Sequence, residues 1–184
     1  MVVLYLDFDG VLHPDAAYWS PRGVVLQGHP GHALFEHVPL LESALAPYPD
    51  VRIVLSTSWV PDLGFSRARK RLGPQLAQRV IGATFHSRYM RRRRDIEPRS
   101  MDGMLLSVRD DYHTLPRGMQ VWNDVCRRKP DGWLALDDND EGWPEEHRHR
   151  LVLTDSIEAL AAPASIAELA DKLKALQAEL AIVG

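Results

Sequence analysis

The sequence predicts an α/β domain in three layers, a central parallel sheet with helices on both faces. Two observations lead there. Short apolar runs recur at Val2 to Leu6, Val51 to Leu55, Val80 to Thr84, Trp133 to Leu136 and Leu151 to Leu153. They are β-branched or bounded by turn residues and nearly continuously apolar, as strands buried on both sides are. Stretches of helical period separate them, and such alternation implies crossovers above and below a parallel sheet. In open sheets of this kind, sites lie beyond the carboxyl ends of the strands, where Asp7, Ser56, Asp137 and Asp138 fall.

The first strand runs into Asp7-Phe8-Asp9-Gly10-Val11-Leu12. An extended chain alternates its side chains, so Asp7 and Asp9 are expected to share a face at the strand's mouth. Two acids that close repel unless a cation or a proton sits between them, which asks for a metal. Carboxylate chemistry suits a hard ion such as Mg²⁺, and no Cys or His stands at zinc-ligand spacing. Residues 13 to 32, with Pro14, Pro21 and Pro30, read as a hairpin or flap. A helix is expected over 39 to 46, with Pro39 in its first turn.

The second core strand ends in Ser56-Thr57-Ser58-Trp59. Hydroxyls and free N–H groups at a strand-to-helix turn can hold a phosphate oxygen. Ser56 fits a local backbone cap equally well, and Thr57 and Ser58 fit helix caps. Further helices are expected over 62 to 72 and 117 to 127. Residues 85 to 116 show little periodicity and carry Arg91, Arg92, Arg93 and Arg94, with Arg88 and Arg99 close by. They read as an insertion, a class that is often a functional lid or disordered. Trp133 to Leu136 leads into Asp137-Asp138-Asn139-Asp140, which supplies further metal ligands or is merely a polar loop. At the end of the chain, Ser165 and Glu168 form a capping-box pattern, and Ile166, Leu169, Leu173, Leu176 and Leu180 form a core-packing stripe.

Composition narrows the class without naming a chemistry. The 184 residues suit a single domain over 1–184, and 45% hydrophobic with 26% charged residues is ordinary for a globular protein. The net charge of −3 hides the arginine run, and such runs are more often solvated faces than nucleic-acid sites. Cys126 is the single cysteine, so no internal disulfide can form, in agreement with a reducing compartment. The N-terminal apolar run is short and has no basic leader, and nothing approaches the roughly 20 apolar residues of a membrane span. A cytoplasmic protein is expected. His13, His29, His32, His37 and His86 show no ligand spacing, and an EF-hand fails for want of its acidic spacing. Tyr18 and Trp19 fit either core packing or a cover over substrate.

Asp7-Phe-Asp9-Gly-Val-Leu, a strand ending in Ser56 and Ala135-Leu136-Asp137-Asp138, in that order, resemble the haloacid dehalogenase-like (HAD) superfamily over nearly the whole chain. Ser56-Thr-Ser-Trp59, Val80-Ile-Gly-Ala-Thr84 and Leu134 to Asp138 followed by Gly142-Trp143-Pro144 are similar to the HAD domains associated with RNA-repair proteins. The resemblance implies a Rossmann-like fold with a small flap and minimal cap. It also implies a Mg²⁺-dependent phosphomonoesterase acting through an aspartyl-phosphate intermediate. Asp7 is then the nucleophile, and Asp9 shuttles the proton with its main-chain carbonyl on the metal. Asp137 ligates the ion directly, Asp138 completes or orients the shell, and Ser56 with Thr57 binds phosphate. Such enzymes also use a basic residue, usually Lys, to offset this charge. Lys129 lies only eight positions before Asp137 and next to Pro130, whereas Arg117 lies twenty before it at a helix start. Arg117 is expected in that role. The expected substrate is a phosphorylated small molecule, such as a nucleotide or sugar phosphate, or a nucleic-acid end reaching Arg91 to Arg94. Two alternatives stand beside it. One is a HAD-type hydrolase of carbon–halogen or phosphonate substrates, against which Asp9 speaks. The other is a non-catalytic nucleic-acid-binding module with a residual metal site.

Overall fold

The computed structural model describes residues 1–20, 23–87, 90 and 111–183. Arg91 to Arg94, with Arg88, Arg99 and most of the expected 85 to 116 insertion, lie outside the described residues. The strands are β1 (Val2–Leu6), β2 (Ala17–Ser20), β3 (Gly23–Leu26), β4 (Val51–Leu55), β5 (Val80–Ala83), β6 (Gly132–Asp137) and β7 (Leu151–Leu153). The helices are α1 (Val38–Leu45), α2 (Trp59–Leu63), α3 (Phe65–Lys70), α4 (Gly73–Arg79), α5 (Arg117–Arg128) and α6 (Pro163–Val183). A five-stranded sheet runs in the order β5-β4-β1-β6-β7 with every pair parallel. This is the α/β, Rossmann-like architecture the sequence predicts.

Strand β1 is central because it is apolar on both sides. Its Leu4 and Leu6 enter a core with Leu41 and Leu45 of α1, Leu76 of α4 and Leu169, Leu173 and Leu176 of α6. Its Val3 and Tyr5 point the other way, into a second core with Val121 and Val125 of α5, Trp133 and Trp143. From β1 the chain builds outward through β4 to β5, then returns to the other side for β6 and β7. Right-handed crossovers put the helices of the outward and return paths on opposite faces, and the two cores divide accordingly. The reversal makes β1 and β6 the topological switch point, where a crevice opens beyond the strand ends.

Register then sets the site. Leu6 of β1 is level with Leu55 of β4 and Leu136 of β6, so Asp7, Ser56 and Asp137 emerge side by side. The Asp7 N–H donates to the Leu136 carbonyl at 3.0 Å, and the Ser56 N–H to the Leu6 carbonyl at 2.8 Å. The ladders therefore continue one residue past the apolar run, into the polar row.

Several boundaries differ from the sequence reading. The expected helix 62 to 72 is two helices, because Gly64 takes φ 92° and breaks it between α2 and α3. Helix α4 was not expected; its Gly73-Pro74 start reads as a breaker, yet Pro is tolerated in a helix's first turn. The last helix begins at Pro163, two residues before Ser165, so Ser165 is a buried first-turn residue and no capping box forms there. Ser58 is likewise no side-chain cap for α2. Residues 13 to 32 do contain a hairpin, β2 paired antiparallel with β3. On it Tyr18 is 59% exposed, which excludes the core-packing role.

Helix α5 is fixed at its middle and at its start. Near its middle, buried Asp124 accepts from the Tyr5 hydroxyl at 3.0 Å and from Arg128 Nε at 2.8 Å, tying the helix to β1. At its start the Gly118 N–H donates to the Glu141 carbonyl at 3.0 Å, and a Cβ on Gly118 would collide with the backbone of Gly142 and Trp143. This approach aims the first residue of α5, Arg117, at the strand ends. Among the described residues no helix is long and apolar enough to cross a membrane.

Gly118→Ala is expected to destabilise the fold. Alanine favours helix by about 1 kcal/mol, but overpacking against fixed backbone costs about 1–3 kcal/mol or more and α5 must shift. Urea unfolding should show a lower midpoint at an unchanged slope.

Candidate active site

The polar row at the carboxyl edge of the sheet holds three acids in one place. Asp7, Asp137 and Asp138 each offer a carboxylate oxygen, and these oxygens lie within 4.8 Å of one another. Asp7 directly follows β1 and Asp137 ends β6, both buried, while Asp138 is half-buried. Asp138 is admitted by Gly10, whose φ of 65° suits glycine and whose Cβ, if present, would collide with the Asp138 carboxylate. The loop carrying Gly10 is stapled to the chain after β7, with the Thr154 hydroxyl donating to the Gly10 carbonyl at 2.7 Å. Asp137 Oδ1 accepts from the Asn139 N–H at 3.1 Å, which turns the chain sharply toward α5.

Arg117 lies across the acids. Its Nη2 donates to Asp7 Oδ2 at 3.2 Å, its Nη1 to the Ser56 carbonyl at 2.6 Å, and its Nε stands 3.5 Å from Asp137 Oδ2. Lys129, the other candidate base, ends α5 at its far side in a left-handed conformation with φ 51°. A helix of 12 residues puts these two cations about 18 Å apart along the axis. Of these two, Arg117 is the one that reaches the acids.

Burial pushes the Asp7 carboxyl up to about 6, against the pull of Arg117 and with Asp9 adding to the rise. Burial, then the nearby Asp7, holds Asp137 well above the usual carboxylate range, and burial raises Asp138. Burial opposes the charge on Arg117, but Asp7 and Asp137 outweigh it and keep the guanidinium protonated. Among the described residues, one cation thus faces three acids and leaves them under-compensated. The donor set is all oxygen, two of the groups are buried, and the cluster can hold a hard divalent ion.

Two hydroxyls at the end of β4 differ in what they do. Ser56 Oγ is buried without a hydrogen-bond partner, at the level of Asp7. Leaving it so costs free energy, and an anion's oxygen would satisfy it. Thr57 Oγ1 instead accepts from the Trp59 N–H at 3.4 Å, shaping the start of α2. A cavity of about 160 Å³, bordered by Ser58, Asp62, Tyr112 and Arg117, opens beside Arg117.

The Asp9 carboxylate is not part of the acid cluster, because the chain leaves the extended form after β1. It accepts from Trp59 Nε1 at 3.0 and 2.9 Å, with His13 Nε2 3.0 Å away and Ser58 Oγ 3.4 Å away. Sequence reasoning gave His13 no role, since it looked for metal spacing. The signal available was the spacing of four between His13 and Asp9 across a glycine turn.

The titration of Asp7 predicts a pH signature. A carboxyl whose folded value is raised stabilises the fold below its unfolded value, about 4, and that stability is lost as pH rises through about 6. Without divalent cations, Asp7→Asn should therefore gain stability relative to the unmodified protein across that window and level off above it. Thermal unfolding in chelator at a series of pH values measures the difference, and a flat difference would contradict the shift.

No curated protein and no solved structure matches the chain. The family model described as the HAD domain in Swiss Army Knife RNA repair proteins matches residues 3–164, and the chain belongs to that family of HAD-type hydrolase domains.

Proposed function

We propose that the chain is a Mg²⁺-dependent phosphomonoesterase working through an aspartyl-phosphate on Asp7. The observation that carries the reading is the cradle at Asp7: a buried carboxylate with Arg117 across it, two more acids beside it and the unpartnered Ser56 hydroxyl level with it. Asp7, Asp137 and Asp138 would hold the ion, together with the Asp9 carbonyl. When bound, Mg²⁺ neutralises the repulsion between an anionic phosphate and an anionic nucleophile.

The chain's own groups have separate tasks. Ser56 Oγ donates to a non-bridging phosphate oxygen. Arg117 offsets charge as Asp7 attacks phosphorus, and the ester P–O bond breaks toward the leaving oxygen. Asp9 gives that oxygen its proton. Water then attacks phosphorus while Asp9 takes a proton back, and the bond to Asp7 breaks to release inorganic phosphate. The cavity beside Arg117 gives the leaving group room. A proton donor is needed for an alkoxide and not for a halide, which favours phosphate esters over carbon–halogen substrates. Membership of a family described by RNA repair supports a phosphorylated polynucleotide end or nucleotide as the substrate.

Phosphate release with Mg²⁺ should be measured on nucleotides, sugar phosphates and 3′- or 5′-phosphorylated oligonucleotides. Asp7→Asn should lower turnover by about a thousandfold or more, as loss of a nucleophile does. Full activity in that variant would refute the nucleophile assignment. Chelator should abolish turnover and Mg²⁺ restore it. Mg²⁺ should also raise the melting temperature more above about pH 6 than below it, since metal binding needs ionised ligands.

A further inference from the structure

We infer that His13 and Trp59 form a clamp that orients the Asp9 carboxylate for proton transfer, acting as positioning residues that touch neither phosphate nor metal. The inference rests on the phosphomonoesterase reading. The Trp59 indole N–H sits astride the carboxylate, 3.0 Å from Oδ1 and 2.9 Å from Oδ2. One donor shared by both oxygens fixes the plane of the group as well as its position. His13 Nε2 stands 3.0 Å from Oδ1.

The imidazole is itself set by a backbone contact. The Phe35 N–H donates to His13 Nδ1 at 3.4 Å, so Nδ1 is the acceptor and Nε2 carries the proton that points at Asp9. Phe35 adopts φ 64°, a left-handed conformation that a bulky residue takes only under strain. That strain aims its N–H at His13. It also brings its ring 4.9 Å from the imidazole, 5.0 Å from the indole and 5.2 Å from Phe8. These rings wall Asp9 from behind, and His13 is fully buried among them.

Satisfying a buried acid does not account for this arrangement. The Asp9 side chain is 20% exposed, so water could hydrate it without ordered protein donors. A strained backbone, a single imidazole tautomer and a shared indole donor are more than solubility needs. They are what a proton carrier needs, because transfer depends on a fixed direction toward the leaving oxygen.

The test compares two esters by kcat/KM, which reports only steps through phosphoryl transfer to the enzyme. Adenosine 3′-phosphate expels an alkoxide that must be protonated, whereas p-nitrophenyl phosphate expels a stable phenolate. Trp59→Phe keeps the ring and removes the donor. It should lower the ratio of the first ester to the second by about tenfold or more, part of the roughly 10²–10⁴-fold a positioned acid contributes. His13→Ala should do the same, and His13→Gln, whose amide reaches where Nε2 was, should recover most of the ratio. Equal losses on both esters, or no recovery with Gln, would overturn the clamp. Asp7→Asn runs alongside: retained turnover there refutes the aspartyl-phosphate reading instead. A second measurement needs no substrate. In the proton–nitrogen NMR spectrum, Asp9→Ala should move the Trp59 indole resonance and speed its exchange with solvent. An unmoved resonance overturns the inference.

Discussion

Asp7 and Asp137 leave adjacent parallel strands at the same level, buried, and two such carboxylates cannot both be charged unless cations sit with them. Within 4.8 Å, at an effective dielectric near 20, their repulsion is about 3.5 kcal/mol, a large part of the ~5–15 kcal/mol that stabilises a domain. The placement of α5 answers this. A cation at the first position of a helix opposes the helix dipole by about 0.3–1 kcal/mol. Arg117 sits there nonetheless, because its contacts with Asp7 and Asp137 are the larger effect. The close approach at Gly118 and the anchoring of Asp124 to Tyr5 hold the helix start where the charge is required. Even so, among the described residues one cation faces three acids, and burial first, then crowding by other acids, raises the carboxyls.

The inner strands β1, β4 and β6 were readable because they are buried on both faces, which leaves a short apolar run that little else in a chain imitates. The helices on the first face were harder. Trp59-Val60-Pro61 and Gly73-Pro74 look like interruptions, yet both sit in first turns, where the missing proline N–H would have had no partner. Gly64 looks like one residue of a longer helix but ends it. Ser165 carries the pattern of a cap, but tertiary packing starts the helix at Pro163 and buries the hydroxyl. Local patterns misled where the deciding contact was distant in sequence.

The same division runs through the site. Asp7, Ser56 and Asp137 could be placed from sequence, since strand ends in a parallel sheet converge by register alone. Arg117 followed from its position at a helix start before the second acidic strand. The surroundings of Asp9 could not be placed. Trp59 comes from the turn after β4, and Phe35 from a segment whose left-handed backbone no periodicity announces. His13 shows no ligand spacing and Trp59 only closes a motif, and neither points to Asp9 until the fold brings both to one carboxylate.

Two acids one residue apart therefore occupy different chemical worlds. Asp7 is buried among charges, facing a guanidinium and two other carboxylates. Asp9 lies in the turn after β1 and is held by Trp59 and His13 against aromatic rings. A nucleophile needs its charge shared with cations and its lone pair free, whereas a proton carrier needs a fixed direction and access to water. Sites that run acid and base chemistry together separate their groups by environment in this way. The turn that starts at Phe8, whose carbonyl accepts from the Val11 and Leu12 N–H groups, is the physical means of separation, and its Gly10 admits Asp138 to the Asp7 side. A chain extended through Phe8 would have kept both acids on one face of the strand.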